Sequence, residues 1–502
     1  MAQSEKTDTI KAGGFREFFW PIYGSEHKVF LPMSAMIALI LFNYTIARKT
    51  KDALVISSSG AETLVFLKTW VVLPSAFMFF LIYTKLNNVL SKNNVFYAII
   101  GGFIIFFALF AWVLYPNREL IHPTTSADWL NSVLPQGLSG LVAVYRYWSF
   151  SMFYTMSELW GSAVAALMFW QFANSITPVK NAKRFYAHFY IVANIFVTFS
   201  GPVAIYFSKM NPHLPQEERW GITLHYLCGT LFVCGLLVMF LYYYTNRFIV
   251  PTLDLSEVGT GKPKKKKPKL SVGESISFLM RSKYLGLLAI LVASYGISIN
   301  LFETQWKHQA KLQYPTANEF SAFYGMYTTL LGVFTIVVLF IGSAMTRKLG
   351  WKKAALATPI TIGTIGFIFF LCIVFPEAVA PFAGFFGVSA VMVGVVLGTI
   401  GNILNKSIKY SLFDPTKEMA YIPLDDESKS KGKAAVDVVG GRFGKSGGAL
   451  LQQVMLVTIG PIGIIAPYAG VCLMIIVAIW AFAVLKLHKE FSKLSQEANR
   501  TS

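Results

Sequence analysis

The feature that most constrains this chain is a repeated apolar run of membrane-spanning length. A hydrocarbon core about 30 Å thick needs ~20 apolar residues per helix, and without water to satisfy its amides the backbone there must be helical. Such runs fall at 29–47, 63–84, 95–115, 141–174, 185–207 and 221–245, then at 284–303, 319–344, 354–375, 382–405, 434–462 and 465–486. The fourth and eleventh are the least regular. Hydrophobic residues make up 55% of the 502 and charged residues 14%, more apolar surface than a soluble domain can hide. The expected fold class is an all-α polytopic membrane protein with twelve transmembrane helices, embedded in a lipid bilayer.

Between the sixth and seventh runs lie Pro251, Gly261, Pro263 and a lysine run from Lys264 to Lys267, the composition of a solvated linker. The chain therefore divides into an N-terminal segment (1–28), a six-helix bundle (29–245), a basic linker (246–283), a second six-helix bundle (284–486) and a tail (487–502). Lysine and arginine gather at the N-terminus, in the even-numbered loops and at the C-terminus. The positive-inside bias then places both termini and the linker in the cytoplasm, and the loop from Tyr115 to about Gly140 outside. The two halves correspond faintly. Ala173–Pro178 and the basic turn at Lys183–Arg184 follow the fourth run; Met419–Pro423 and a basic loop reaching Lys433 follow the tenth. Two six-helix repeats around a central cavity give a major-facilitator-like architecture. The first stretch has no apolar core with a cleavage site, and is too short and too acidic for an organelle transit peptide. Cys228, Cys234, Cys372 and Cys472 sit in apolar runs without metal spacing and read as free thiols.

The net charge is +19. Topology explains much of that excess, and attraction of an anionic substrate is the added reading. A charge inside hydrocarbon costs about 2.5–3.5 kcal/mol on insertion scales, so each one invites a reason. Lys68 lies about one and a half turns into the second run, either snorkelling to the interface or facing a cavity anion. Glu158 is deeper, and helical spacing lines it up with Ser151, Tyr154 and Ser162. It is expected either in an ion pair with Arg146 or Lys68, or as a charge exchanged during transport. Asn300, Glu303 and Lys307 share one face of the seventh run, and Glu303 precedes Lys307 in the favourable order for a local pair. Asn300, farther in, suits either a base edge or a neighbouring helix.

The segment Gly440-Gly441-Arg442-Phe443-Gly444-Lys445-Ser446-Gly447-Gly448 is the most distinctive. A Walker A loop would need its first glycine at Val439, and no βαβ pattern surrounds it, so it is no ATPase P-loop. What remains is a glycine-rich helix opening with two cations three residues apart. It suits either close helix packing or polyphosphate oxygens, with arginine bidentate and lysine a point charge. Upstream, Lys406, Lys409, Lys417, Lys429, Lys431 and Lys433 alternate with acids and read mostly as a solvated cytoplasmic face. Lys409 and Lys433 are the two expected nearest a cavity. No HExxH, no nucleophile elbow and no metal-ligand cluster occurs, so neither an enzyme nor a cofactor is expected.

The motifs FLKTW at Lys68, YPNREL then HP in the first external loop, SELWGS at Glu158, AKRFY at Lys183 and NLFETQWK at Glu303 run nearly end to end. With KYSLFDPTKEMAYIPLD from Lys409 and KGKAAVDVVGGRFGKSGGALLQQ from Lys431, the chain resembles the nucleotide transporter family (ATP/ADP translocases) of plastids and obligate intracellular bacteria. It is most like the chlamydial members. The resemblance implies a twelve-helix antiporter in the bacterial inner membrane that exchanges external host ATP for internal ADP by alternating access. Phosphate is a further substrate to consider, nucleic acid is no partner, and a monomer is the expected unit. Proton-coupled or uniport nucleotide import with another base preference is the alternative. Charged positions important for transport in the family match Lys68, Glu158, Glu303 and Lys445. Lys68 and Lys445, with Arg442, are the implied phosphate contacts, and the two glutamates are the counter-charges. Tyr154, Arg146, Asn300, Lys409 and Lys433 complete the candidate substrate site.

Overall fold

A computed structural model describes residues 22–253, 277, 281–424, 432–436 and 440–501. The lysine run of the linker lies outside these residues. Among them every regular element is helical. Ten helices are long and apolar enough to cross a bilayer. They are α1 (His27–Ser59), α2 (Glu62–Val89), α3 (Lys92–Leu114), α5 (Arg184–Lys209), α6 (Gln216–Thr252), α7 (Lys283–Gln313), α8 (Ala317–Val338), α9 (Gly350–Val374), α10 (Ala390–Ala420) and α12 (Ala466–Leu494). The two least regular runs are the two that fall outside this group. The fourth is broken at Tyr147 into Ser139–Arg146 and α4 (Trp148–Trp160), and continues through a π-helical turn, Gly161–Met168. The eleventh contains α11 (Gly441–Thr458).

Local chemistry sets the joints. Ser91, Ser282 and Ser389 cap the starts of α3, α7 and α10 by accepting a backbone N–H, and Thr316 with Glu319 forms a full capping box at α8. Gly60, with φ at 86°, makes the turn between α1 and α2. Gly350, with φ at 72°, separates α8 from α9.

The two halves fold alike. In the first, α1 packs against α4, α5 and α6; in the second, α7 packs against α10, α11 and α12. The end of α1 reaches the end of α7, where the Lys311 ammonium donates to the Ser57 carbonyl at 2.6 Å, so the two helices run in parallel. Near the start of α7, Lys283 pairs with Glu490 of α12 at 3.0 Å. The starts of α1 and α7 and the end of α12 therefore share one face, here the terminal face.

Large apolar side chains stay exposed around the bundle, such as Phe77, Met78, Phe80 and Leu81 on α2, as helices in contact with lipid require. Ion pairs gather at the two rims and at one place in the centre. Arg184–Glu26 and Lys283–Glu490 lie on the terminal rim, Arg118–Glu217 on the opposite one.

Candidate functional site

The central charges come from five helices of both halves. On α1, helical spacing stacks Tyr44, Arg48, Lys51, Asp52 and Val55 on one side. Lys51 Nζ lies 2.9 Å from both Asp52 Oδ1 and Glu158 Oε1, and 3.5 Å above the Tyr154 ring. Asp52 Oδ2 accepts from Lys307 Nζ of α7 at 2.9 Å, joining the halves. Lys307 stands 3.5 Å from Glu303, which also lies 3.4 Å from Lys406 of α10 and 3.9 Å from Arg48. Lys406 donates to the Tyr327 hydroxyl at 2.9 Å. Lys68, in the π-helical turn Leu67–Val72, donates to Asn300 Oδ1 at 3.2 Å, one turn before Glu303 on α7. The outcome is an alternating chain of charge, Glu158–Lys51–Asp52–Lys307–Glu303–Lys406, with Arg48 and Lys68 at its edge.

Exposure is graded across this chain. The side chains of Arg48 and Glu158 are 39% and 31% exposed, while Lys51 and Asp52 are at 2% and 0%. An opening thus reaches Arg48 and Glu158 and ends on the Lys51–Asp52–Lys307 unit. Beyond it, toward the opposite face, the halves are knit together. Gln453 of α11 donates to Val65 O and Thr69 Oγ1 and accepts from Trp70 Nε1, at 3.1, 2.9 and 3.0 Å. Asn318 donates to Ser208 O and Thr223 Oγ1, and Ser208 Oγ donates to Ser321 Oγ at 2.9 Å. At the crossing of α5 and α8, a Cβ on Gly201 would stand 2.5 Å from Gly325 O, so only glycine permits that approach.

Several expected partners differ. Glu158 pairs with Lys51, not with Arg146 or Lys68. Arg146 instead binds Asp128 in the loop region of the opposite face, because the break at Tyr147 turns its helix away from α4. Lys406 belongs not to a solvated face but to the buried network, since α10 runs on past residue 405 to Ala420. Lys409 pairs with Asp414 at 2.7 Å and Lys433 with Glu418 at 2.5 Å, both near the terminal face and away from the chain of charge. The side chains of Arg442 and Lys445 lie outside the described residues. Their helix start is accounted for by packing: Gly440, Gly444 and Gly448 recur every four residues against α7, where a Cβ on Gly444 would stand 3.1 Å from the Gly296 Cα. Asn300 is shared, its amide oxygen on Lys68 and its carbonyl accepting from Gln452 at 3.3 Å.

Arg48, Lys51 and Asp52 escaped the sequence reading. Their charges resemble the end of a first run at residue 47, yet α1 continues twelve residues further to Ser59. The signal was Ala53-Leu54-Val55-Ile56, an apolar stretch that resumes in helical phase right after the charges. Lys49, two residues before Lys51, points away from the network to Ser200 Oγ at 2.9 Å. Among the described residues no group of three histidine, cysteine or acidic side chains stands close enough to hold a metal ion. What this arrangement suits chemically is a polyanion, offered several partly neutralised cations at the bottom of an opening.

A family model described as "TLC ATP/ADP transporter" matches residues 5–491. The chain is 48% identical to "ADP,ATP carrier protein 1" of Chlamydia pneumoniae, over 98% of this chain and 96% of the relative. It is 45% identical to the chloroplastic "ADP,ATP carrier protein 2" of Arabidopsis thaliana, over 94% and 76%. Among solved structures, a bacterial homologue of the iron transporter ferroportin superposes with a TM-score of 0.56 at 14% identity, over 93% of this chain and 99% of that one. That likeness concerns the fold, a major-facilitator-like bundle.

Proposed function

The chain belongs to the TLC ATP/ADP transporter family, and on that premise we propose that it is a nucleotide antiporter exchanging external ATP for internal ADP by alternating access. The observation that carries this reading is the central network, in which, among the described residues, Arg48, Lys51, Lys68, Lys307 and Lys406 meet three carboxylates, Asp52, Glu158 and Glu303. A surplus of cations over acids at the end of an opening fits the phosphates of a nucleotide. The carboxylates keep the empty site from repelling itself apart. In this reading Arg48, Lys68 and Lys406, nearest the opening, meet the phosphates first, with Arg442 and Lys445 contributing as the family motif implies.

The positive-inside bias puts the terminal face in the cytoplasm. The arrangement is then open inward and sealed outward, in a bacterial inner membrane, and each monomer carries its own site. Polyphosphate discriminates ADP and ATP from adenosine, because a ligand shifts a conformational equilibrium only by its differential affinity for the two states. ATP and ADP differ by about one charge, so exchange without a counter-ion responds to membrane potential by about 2.3 kcal/mol per 100 mV.

The test is uptake of labelled ATP into proteoliposomes with and without internal ADP, at imposed pH gradients. Uptake that needs internal ADP and ignores the gradient is expected. Equal uptake into empty vesicles, driven by an inward proton gradient, would replace exchange by proton-coupled import. Lys445→Ala should abolish uptake in a protein that still elutes as a single species.

A further inference from the structure

Asp52 occupies the deepest point of the charge network, fully buried at the place where the opening ends and the sealed part of the seam begins. Its two oxygens serve different halves, Oδ1 holding Lys51 of α1 and Oδ2 holding Lys307 of α7, each at 2.9 Å. Each lysine also has an acid of its own half, Lys51 at Glu158 and Lys307 at Glu303. Parting the halves here therefore keeps Glu158–Lys51–Asp52 together on one side and Lys307–Glu303–Lys406 on the other. Taken alone, the first of these groups carries an extra negative charge and the second an extra positive one, while Arg48 and Lys68 of the first half stand at the edge, outside this balance. In a poorly solvated seam, breaking the Asp52–Lys307 contact itself is opposed by Coulomb attraction far stronger than in water.

A phosphate oxygen is chemically close to a carboxylate oxygen as a partner for lysine: both are anionic acceptors of charge-assisted hydrogen bonds. A phosphate arriving from the opening, past Arg48 and Lys406, can take the place on Lys307 that Asp52 holds and cancel the surplus positive charge. Adenosine brings no such group.

We propose that Asp52 is an internal stand-in for substrate phosphate, latching the sealed face through Lys307 until a bound nucleotide replaces it, so that reorientation is coupled to loading. This rests on the nucleotide-exchange reading above and deepens it by assigning the coupling to one side chain.

Asp52→Asn keeps the shape and removes the charge. In proteoliposomes the wild-type protein is expected to take up labelled ATP at least about tenfold faster with internal ADP than without; in Asp52→Asn that ratio falls to about twofold or less, because the empty carrier now returns. A second measurement needs no transport. Ser208→Cys with Ser321→Cys, placed where the two hydroxyls touch across the sealed seam, reports closure through its rate of oxidation to a disulfide in a background without the four native cysteines. ADP should slow that oxidation in the wild-type background, and Asp52→Asn should slow it without ADP. A wild-type loaded-to-empty ratio in Asp52→Asn overturns the latch, as does a disulfide rate that ADP leaves unchanged in the wild-type background. Should the wild-type protein itself ignore internal ADP, the exchange reading fails instead, and the two failures are told apart.

Discussion

The seam between the halves is built in two ways at two depths. Toward the opposite face it is neutral and tight: glycine on glycine at Gly201 and Gly325, amides on hydroxyls and carbonyls at Asn318 and Gln453, and serine on serine at Ser208 and Ser321. At the centre it is charged, with Asp52 on Lys307 and Arg48 near Glu303. A neutral hydrogen bond contributes about 0.5–1.5 kcal/mol net and has no claim on an anionic ligand. A buried ion pair contributes little by its presence, yet breaking it by removing one partner costs about 3–5 kcal/mol. The neutral region is therefore suited to closing and the charged region to being exchanged.

Within this seam the largest effect is expected from Glu303→Gln. That change leaves Lys307, Lys406 and Arg48 together with one fewer acid, and should cut ATP uptake by about a hundredfold or more while lowering the melting temperature, in keeping with a broken buried pair. Uptake near the wild-type rate would mean that the central charges are structural. Next comes Gly201→Val on the neutral side. Its Cβ would meet Thr329 Oγ1 and Gly325 O, so the sealed face cannot close as it stands, and uptake should fall by about tenfold, the loss of about 1.4 kcal/mol. The same substitution should slow cross-linking between cysteines at 208 and 321, which separates failed closure from failed binding. Asn318→Ala removes two donated bonds and should lower stability by about 1–3 kcal/mol, read as a lower melting temperature, with uptake changed far less.

The difference between the two depths also decided what could be read from the sequence. Runs of apolar residues are a local signal, so ten of the twelve expected spans, the two halves and the irregularity of the fourth and eleventh runs were legible. The charges were legible one at a time where they interrupt a run, as at Lys68, Glu158 and Glu303. They were hidden where they cluster, because Arg48, Lys49, Lys51 and Asp52 look like the polar end of a helix until the structure carries α1 through to Ser59. Partners were harder still: Glu158 and Lys51 are 107 positions apart, and Asp52 and Lys307 are 255. Spacing on one helix says nothing about which face of another helix will meet it, so Arg146 was a reasonable partner for Glu158 until the break at Tyr147 removed it. The glycines at 440, 444 and 448 show the reverse. Close helix packing is one of the two readings of that glycine-rich stretch, and α7 is what packs there.

The smallest expected effect separates the two kinds of contact within one short stretch of α2. Lys68 donates to Asn300 near the network, and the next two residues, Thr69 and Trp70, meet Gln453 on the neutral side. Gln453→Leu removes three hydrogen bonds, yet Thr69 keeps its bond to Val65 O, and the exposed Trp70 indole can find other partners. Its cost should be about 1 kcal/mol of stability, with uptake within about threefold of wild type. Lys68→Met should do the opposite, leaving the melting temperature within a few degrees and cutting uptake by at least about tenfold, because a half-buried cation with one neutral partner holds little of the fold but offers its charge to a phosphate. Both variants can be measured on the same preparation by melting and by uptake. If they move the two readouts in parallel, charged and neutral contacts at this seam do the same job, and the division of labour between its two depths fails at the point where they touch.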